Sequence, residues 1–443
     1  PFLPTDYPNA NPSMNTHCSA LLLAALFIAL PRSLAAAEPQ VGFAASADVV
    51  DCYDFLEVTL NVSAPRAQNP FTDVAVDATF VLPGELPIRV DGFCDSADGS
   101  VFRVRFMPSR AGTYDYTVNY REGAGLKSHQ GRFAAQDAKR RGIVRVDPAF
   151  PTHFQWEGTK ERFFWNGTTA YWLAGWDDDT IGRIVDRFDR LKVTRVRAAL
   201  SGRVKDGRAW FEDVLPTSDF SFLLSPWVSK DPTSVENPGQ DVTRFNVDYW
   251  RKWDRLLAQA RSKNLAVSVI FYVDGARPGV DPFGKAGMGG PDEQRYYRYA
   301  VARLAPFGNV MWDVANEYRH FRDDAWAEKM GAFIKECDPY DHLTSTHGHG
   351  DFRFGASPWA DFAMYQSWDE AGGYDFMLRN REAQAKTGRV IPQVNEEYGY
   401  EDHYPKGWGG DRVAPARSAE SRVRLAWEIC LAGGYQTTGE RAD

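Results

Sequence analysis

The chain is predicted to be an α/β protein, a closed (β/α)8 TIM barrel with an N-terminal antiparallel β-sandwich, and three observations carry that prediction. From Val41 to Phe133 short stretches of alternating apolar residues are separated by Gly, Pro, Asp and Ser clusters, the pattern of half-buried strands joined by tight turns. Beyond Gly142 eight apolar, strand-like runs alternate with amphipathic helical segments over roughly 300 residues, which favours a closed barrel over an open doubly wound sheet. No GxGxxG or GxxxxGK[ST] follows any of those strands, so the nucleotide-binding folds lack their fingerprint.

Taken in order, the first elements form an address. Met14 opens a short polar stretch, Leu21 to Leu30 is apolar, and Ala35-Ala36-Ala37 offers the small residues cut by a signal peptidase, placing cleavage before Glu38. Residues 1–13 are then upstream sequence, and the stretch before the apolar run holds His17 but no Lys or Arg. The run falls short of the about 20 residues that span a bilayer, so a secreted or periplasmic protein without a membrane anchor is expected. The sandwich strands follow: Phe55 to Val62, Val74 to Leu82, Val101 to Phe106 and Thr113 to Val118. Lys139-Arg140-Arg141-Gly142 bridges to the barrel, whose strands are read at Phe163–Leu173, Val193–Ala198, Ala266–Tyr272, Val310–Val314, Leu343–Thr346, Phe362–Gln366, Val390–Asn395 and Gly434–Thr438. Among the helices, Tyr249–Ser262 places Trp250, Trp253, Leu256, Leu257 and Ala260 on one face. The division expected is 1–37 leader, 38–138 sandwich and 139–443 barrel, the last stopping after strand eight, before the helix that would cover it.

Composition removes several classes. Hydrophobic residues make up 44% of the chain and aromatics 14%, so disorder is excluded. With 51 Lys+Arg against 59 Asp+Glu, a net charge of -8 and no basic block, nucleic-acid binding is disfavoured. Past the leader, Cys52, Cys94, Cys337 and Cys430 lack the CxxC spacing of zinc or redox sites; Cys52 and Cys94 either pair or remain buried thiols. No cofactor and no metal is expected.

In a barrel of this type chemistry sits at the C-terminal strand ends, so the residues that terminate the strands are the informative ones. Strand four runs Trp312-Asp313-Val314-Ala315-Asn316-Glu317-Tyr318 and strand seven ends Val394-Asn395-Glu396-Glu397-Tyr398-Gly399. The two strands face each other across the mouth. Glycoside hydrolysis needs one carboxyl group protonated and a second ionised, about 5 to 5.5 Å apart when configuration is retained.

At these residues the sequence resembles clan A, the superfamily of retaining glycoside hydrolases in which Asn-Glu ends strand four and a Glu followed by an aromatic residue and Gly ends strand seven. The resemblance implies that Glu317 is the acid/base, Glu397 the nucleophile and Asn316 a contact to the sugar 2-hydroxyl. Glu396 and Glu397 are adjacent and point to opposite faces of an extended strand; matching Glu-Tyr-Gly selects Glu397. The resemblance further implies that Arg197, at the end of strand two, hydrogen-bonds the nucleophile and keeps it ionised by its nearby positive charge. A closer likeness covers most of the chain. Asn69-Pro70-Phe71-Thr72-Asp73-Val74, Asp91-Gly92-Phe93 and Val104 to Pro108 followed by Gly112-Thr113-Tyr114 look like the β-sandwich domain of unknown function that precedes such barrels. Phe163 to Ala170 and Leu431-Ala432-Gly433-Gly434-Tyr435 are similar to barrels labelled apiosidase-like or collagen-binding, although members near apiosidase itself carry Asp where this chain has Glu317.

Weaker candidates surround the pair. Asp177, in Trp176-Asp177-Asp178-Asp179, either binds sugar hydroxyls or caps a helix. Tyr365, Trp368 and Trp408 are candidates for stacking on sugar faces, against a core role. His347, in His347-Gly348-His349-Gly350-Asp351, is expected to hydrogen-bond substrate, with a metal site as the lesser reading of that turn. The leading function is a secreted retaining glycoside hydrolase acting on a polysaccharide or oligosaccharide. The alternatives are a non-catalytic carbohydrate-binding protein, whose signature is loss of one carboxylate, and a metal-dependent hydrolase.

Overall fold

A computed structural model describes residues 39–205, 217, 219–348, 350–367, 373–399 and 417–438. The leader, Trp368, His349 and Trp408 lie outside the described residues.

The N-terminal part is a sandwich of two sheets. One orders the strands Gln40–Ala45, Leu56–Ser63, Val101–Phe106 and Phe93–Cys94; the other orders Val49–Asp51, Gly125–Gln136, Gly112–Glu122, Val74–Val81 and Ile88–Asp91. All pairs are antiparallel except Val49–Asp51 with the end of Gly125–Gln136. Leu56, Val58 and Leu60 are buried while Glu57 and Thr59 between them are partly exposed, the alternation that a one-sided sheet requires. Phe80 and Phe106 stack across the two sheets at 4.0 Å. Cys52 and Cys94 are buried free thiols, and Cys94 Sγ donates to Ser96 O.

Eight parallel strands form the barrel: β1 (Asn166–Thr169), β2 (Arg195–Arg203), β3 (Ala266–Tyr272), β4 (Val310–Asp313), β5 (Thr344–Ser345), β6 (Ala363–Gln366), β7 (Gln393–Glu397) and β8 (Tyr435–Thr438). Their order in the sheet is β5-β4-β3-β2-β1-β8-β7-β6. The seam between β5 and β6 is bridged by Asp361 N–H to Thr344 O (2.9 Å) and Ser345 Oγ to Phe362 O (2.6 Å). The principal helices are α1 (Asp178–Arg190), α2 (Val247–Ser262), α3 (Pro291–Leu304), α4 (Asp324–Cys337), α5 (Tyr374–Ala385) and α6 (Ala419–Leu431). Helix α2 buries the five residues expected of it. Among the described residues no helix joins β5 to β6; that Gly-, Pro- and Phe-rich stretch packs as irregular chain, with Phe354 and Trp359 in the core.

Strand positions decide which end of the barrel is open. A small antiparallel sheet, Val144–Val146, Phe154–Trp156 and Arg162–Phe163, lies against the N-terminal end. Its Phe154 meets Trp165, Phe362 and Tyr435, and this layer continues through Ala266, Met311, Met364 and Val394. The bottom is therefore a packed apolar plug, and polar side chains accumulate towards the other end.

The sandwich docks on helices α2 and α3 through buried ion pairs. Asp254 of α2 receives two forked guanidinium groups, Arg105 from the sandwich (3.0 and 2.9 Å) and Arg303 from α3 (3.0 and 2.7 Å). Asp95 of the sandwich accepts from Arg303, Arg251 and Arg103. Arg103 and Arg105 both also pair with Glu57.

Candidate active site

Strand β2 supplies the floor of the site. Arg195 and Arg197, two residues apart and fully buried, share the inner face. Arg195 bonds Glu396 Oε2 (2.6 Å), Ser268 Oγ (2.8 Å) and Thr437 Oγ1 (3.0 Å) and lies over the Trp165 ring. Arg197 Nη2 donates to Asp313 Oδ2 (2.9 Å) and Asn316 Oδ1 (3.0 Å), and its Nε is 3.7 Å from Glu396 Oε2. Burial raises the Asp313 carboxyl to about 6, a rise that Arg197 limits and the Glu396 charge reinforces.

Above this floor, Asn316 is oriented by three donors to one oxygen. Its Oδ1 accepts from Tyr171 Oη (3.0 Å), Arg197 Nη2 (3.0 Å) and His347 Nδ1 (2.6 Å), which requires the His347 tautomer protonated at Nδ1. With that oxygen saturated, the amide offers a ligand only its Nδ2 hydrogens. Burial pushes the Tyr171 phenol far above its ordinary range; Arg197 opposes the rise, and the charges of both Glu397 and Glu317 add to it.

Glu317 follows β4 in the left-handed region, φ 46°, ψ 45°. Its Oε1 accepts from Gln366 Nε2 at 3.0 Å, and His320 Nε2 is 3.8 Å from Oε2. Gln366 in turn is the register partner of Glu397 on β7. The pairing steps from Tyr365↔Asn395 to Gln366↔Glu397, so β7 passes Glu396 in a bulge. Glu396 is wholly buried below, whereas Glu397 is 6% exposed at the strand end. Asp274 follows β3: burial raises its carboxyl, Arg277 opposes the rise, and the Glu317 charge adds to it.

The structure thus brings together Glu317, Glu397, Asn316, Arg197 and His347. Arg197 reaches the site through Asn316 and Asp313. Two expectations are corrected. Tyr365 is 2% exposed, packed between Phe352 and Phe376 against α5, because the alternation of β6 turns it outward and its neighbour Gln366 to the mouth. Asp177 is the N-cap of α1; its Oδ1 accepts from Thr180 N–H at 2.7 Å, which lowers its pKa. Sequence reasoning passed over Tyr171, Gln366, Arg195 and Asp313. Asp313 carried a readable signal, a charge closing the apolar run Val310-Met311-Trp312, and Arg195 shares a strand face with Arg197. Asp351 pairs with Arg319 and Arg353, and among the described residues no group of three or more His, Cys, Asp or Glu is arranged to hold a metal.

A parallel eight-stranded barrel with this disposition of carboxylates belongs to the glycoside hydrolase class of folds. Residues 154–438 match the model of the apiosidase-like catalytic domain, so the chain belongs to that family; residues 49–121 match a domain of unknown function, DUF5060. A solved structure from Bacteroides vulgatus ATCC 8482, named as a candidate glycoside hydrolase, is similar at 26% identity and TM-score 0.72, covering 89% of this chain and 72% of that one. A family 5 glycoside hydrolase from the same organism is similar at 17% identity and TM-score 0.48, covering 68% of this chain and 62% of that one. An endo-β-1,4-mannanase from Thermotoga petrophila is similar at 14% identity and TM-score 0.43, covering 62% and 67%. No curated protein matches the chain.

Proposed function

We propose that the chain is a retaining glycoside hydrolase that cleaves O-glycosidic bonds of a polysaccharide or oligosaccharide by double displacement. The observation that carries this reading is the placement of two strand-end glutamates around one residue: the Gln366 side chain bonds Glu317, and its backbone stands in register with Glu397. Glu397 attacks the anomeric carbon while Glu317 gives its proton to the departing oxygen, forming a glycosyl ester. Glu317 then takes a proton from water, which attacks the same carbon and releases Glu397. Asn316, its oxygen held by three donors, directs Nδ2 to the sugar 2-hydroxyl, a contact that strengthens as positive charge develops on the ring. Export belongs to the same reading, supported by the apolar run at Leu21 to Leu30. The presence of both carboxylates favours catalysis over a binding-only barrel.

The test is a panel of chromogenic glycosides and polysaccharides with the product anomer followed by NMR. Glu317→Gln and Glu397→Gln should each remove most activity with the fold intact, and azide should restore Glu397→Gly with inverted product. An inverted product from the wild type, or full activity in Glu397→Gln, refutes the assignment.

A further inference from the structure

The four-charge cluster beneath the mouth is larger than the chemistry above it needs. Arg195, Arg197, Asp313 and Glu396 are all fully buried, two positive and two negative if each is ionised. They join the strands that matter most: Glu396 is on β7, next to the proposed nucleophile; Asp313 is on β4, ahead of the proposed acid/base; and both arginines are on β2. As a stabilising device the cluster is poor. Asp313 Oδ1, Glu396 Oε1 and Arg195 Nη2 find no hydrogen-bond partner among the described residues, and buried ion pairs contribute little over apolar packing even when fully bonded. Its geometric effect is definite. The bulge lets β7 advance two residues against one on β6, and Glu396 is the residue passed over, pinned inward by Arg195 at 2.6 Å. With Glu396 held down, the following residue is carried to the rim.

We propose that Glu396 is a positioning residue: its buried ion pairs with Arg195 and Arg197 anchor the bulge of β7 and thereby hold Glu397 opposite Glu317. The inference rests on the retaining-hydrolase reading. It carries a consequence for mutagenesis, because Glu396 and Glu397 should both score as essential in a substitution scan although only one touches substrate.

The experiment compares Glu396→Gln, Glu396→Asp, Glu397→Gly and the paired variant Arg195→Met/Glu396→Leu, using an aryl glycoside of the sugar that the wild type cleaves. Glu396→Gln should lower kcat about 100-fold with KM within about twofold, and Glu396→Asp should recover part of the loss. Azide should rescue Glu397→Gly but not Glu396→Gln. The paired variant removes a positive and a negative charge together, so it should recover thermal stability while kcat stays low. Recovery of kcat along with stability would make Glu396 merely structural, and azide rescue at position 396, or a 2-deoxy-2-fluoro sugar trapped there, would make it the nucleophile. A wild type that cleaves no glycoside refutes the functional reading separately. The anchor is then read by amide hydrogen exchange: residues 395–398 should exchange at least about tenfold faster in Glu396→Gln while the sandwich strands keep wild-type rates, and unchanged exchange there overturns the proposal.

Discussion

Asp254→Asn is expected to loosen the docking of the sandwich on the barrel more than any other single substitution at their interface. The Asp254 carboxylate is shared by two arginines, one from each part of the molecule, whose side chains are 6% and 0% exposed against 16% for Asp254 itself. Neutralising it leaves Arg105 and Arg303 facing one another with their forks half empty. Removing one partner of a buried pair costs about 3–5 kcal/mol. If about 400 residues unfold together, the unfolding entropy converts that loss into a fall in Tm of about 4–6 °C. Arg251→Met is the matched control: Arg251 pairs with Asp95 in the same network, but its side chain is 42% exposed, so about 0–1 kcal/mol is expected. Differential scanning calorimetry separates the two. A shift for Asp254→Asn no larger than that for Arg251→Met refutes the argument that the shared carboxylate holds the parts together. So does a wild-type scan in which sandwich and barrel melt as two separate transitions.

Asn316→Ala should lower kcat/KM at least about 100-fold, read by initial rates on an aryl glycoside, because it removes the proposed 2-hydroxyl contact and leaves the buried Arg197 and His347 and the half-buried Tyr171 without their acceptor. Tyr365→Phe should leave kcat unchanged, whereas Gln366→Ala should lower it; the reverse order would return Tyr365 to the site. Asp338, fully buried after α4, resists charge because of that burial, but His342, Trp312 Nε1 and the Tyr340 N–H outweigh it and hold the carboxyl well below the usual range. A carboxyl that binds protons less readily when folded contributes stability above its unfolded value of about 3.9 and loses that contribution as the pH falls below it. Urea midpoints measured from pH 7 down to pH 3 should therefore drop more steeply for the wild type than for Asp338→Asn, and parallel curves would contradict this.

What the sequence revealed follows from how one-sided each element's environment is. Ala266–Tyr272, buried at every position, is read to the residue from its apolar run, as is Val101–Phe106 from its turn signals. Gly125–Gln136 went unread because its sequence is polar: it is a hairpin arm paired along Gly112–Glu122, and its first eight residues never enter the core. The two catalytic candidates were legible because barrel topology sends strands four and seven to opposite sides of one opening. The choice of Glu397 over Glu396 rested on the Glu-Tyr-Gly resemblance alone, since simple alternation gives neither residue the mouth without knowledge of the bulge. Asp177 and Tyr365 were over-read for a related reason. Near a strand end, the residue types that bind sugars are also those that cap helices and fill cores.

The backbone at Glu317 leaves a mark on descent. A glutamate in the left-handed region works against its own conformational preference, which glycine or asparagine would relieve at the same place. A lineage that keeps this barrel only to hold sugar is freed from that burden and should drift to Gly or Asn at this position, gaining stability as it loses turnover. On the proposed acid/base role of Glu317, the residue found there would sort working enzymes from retired ones among homologues whose folds are otherwise indistinguishable.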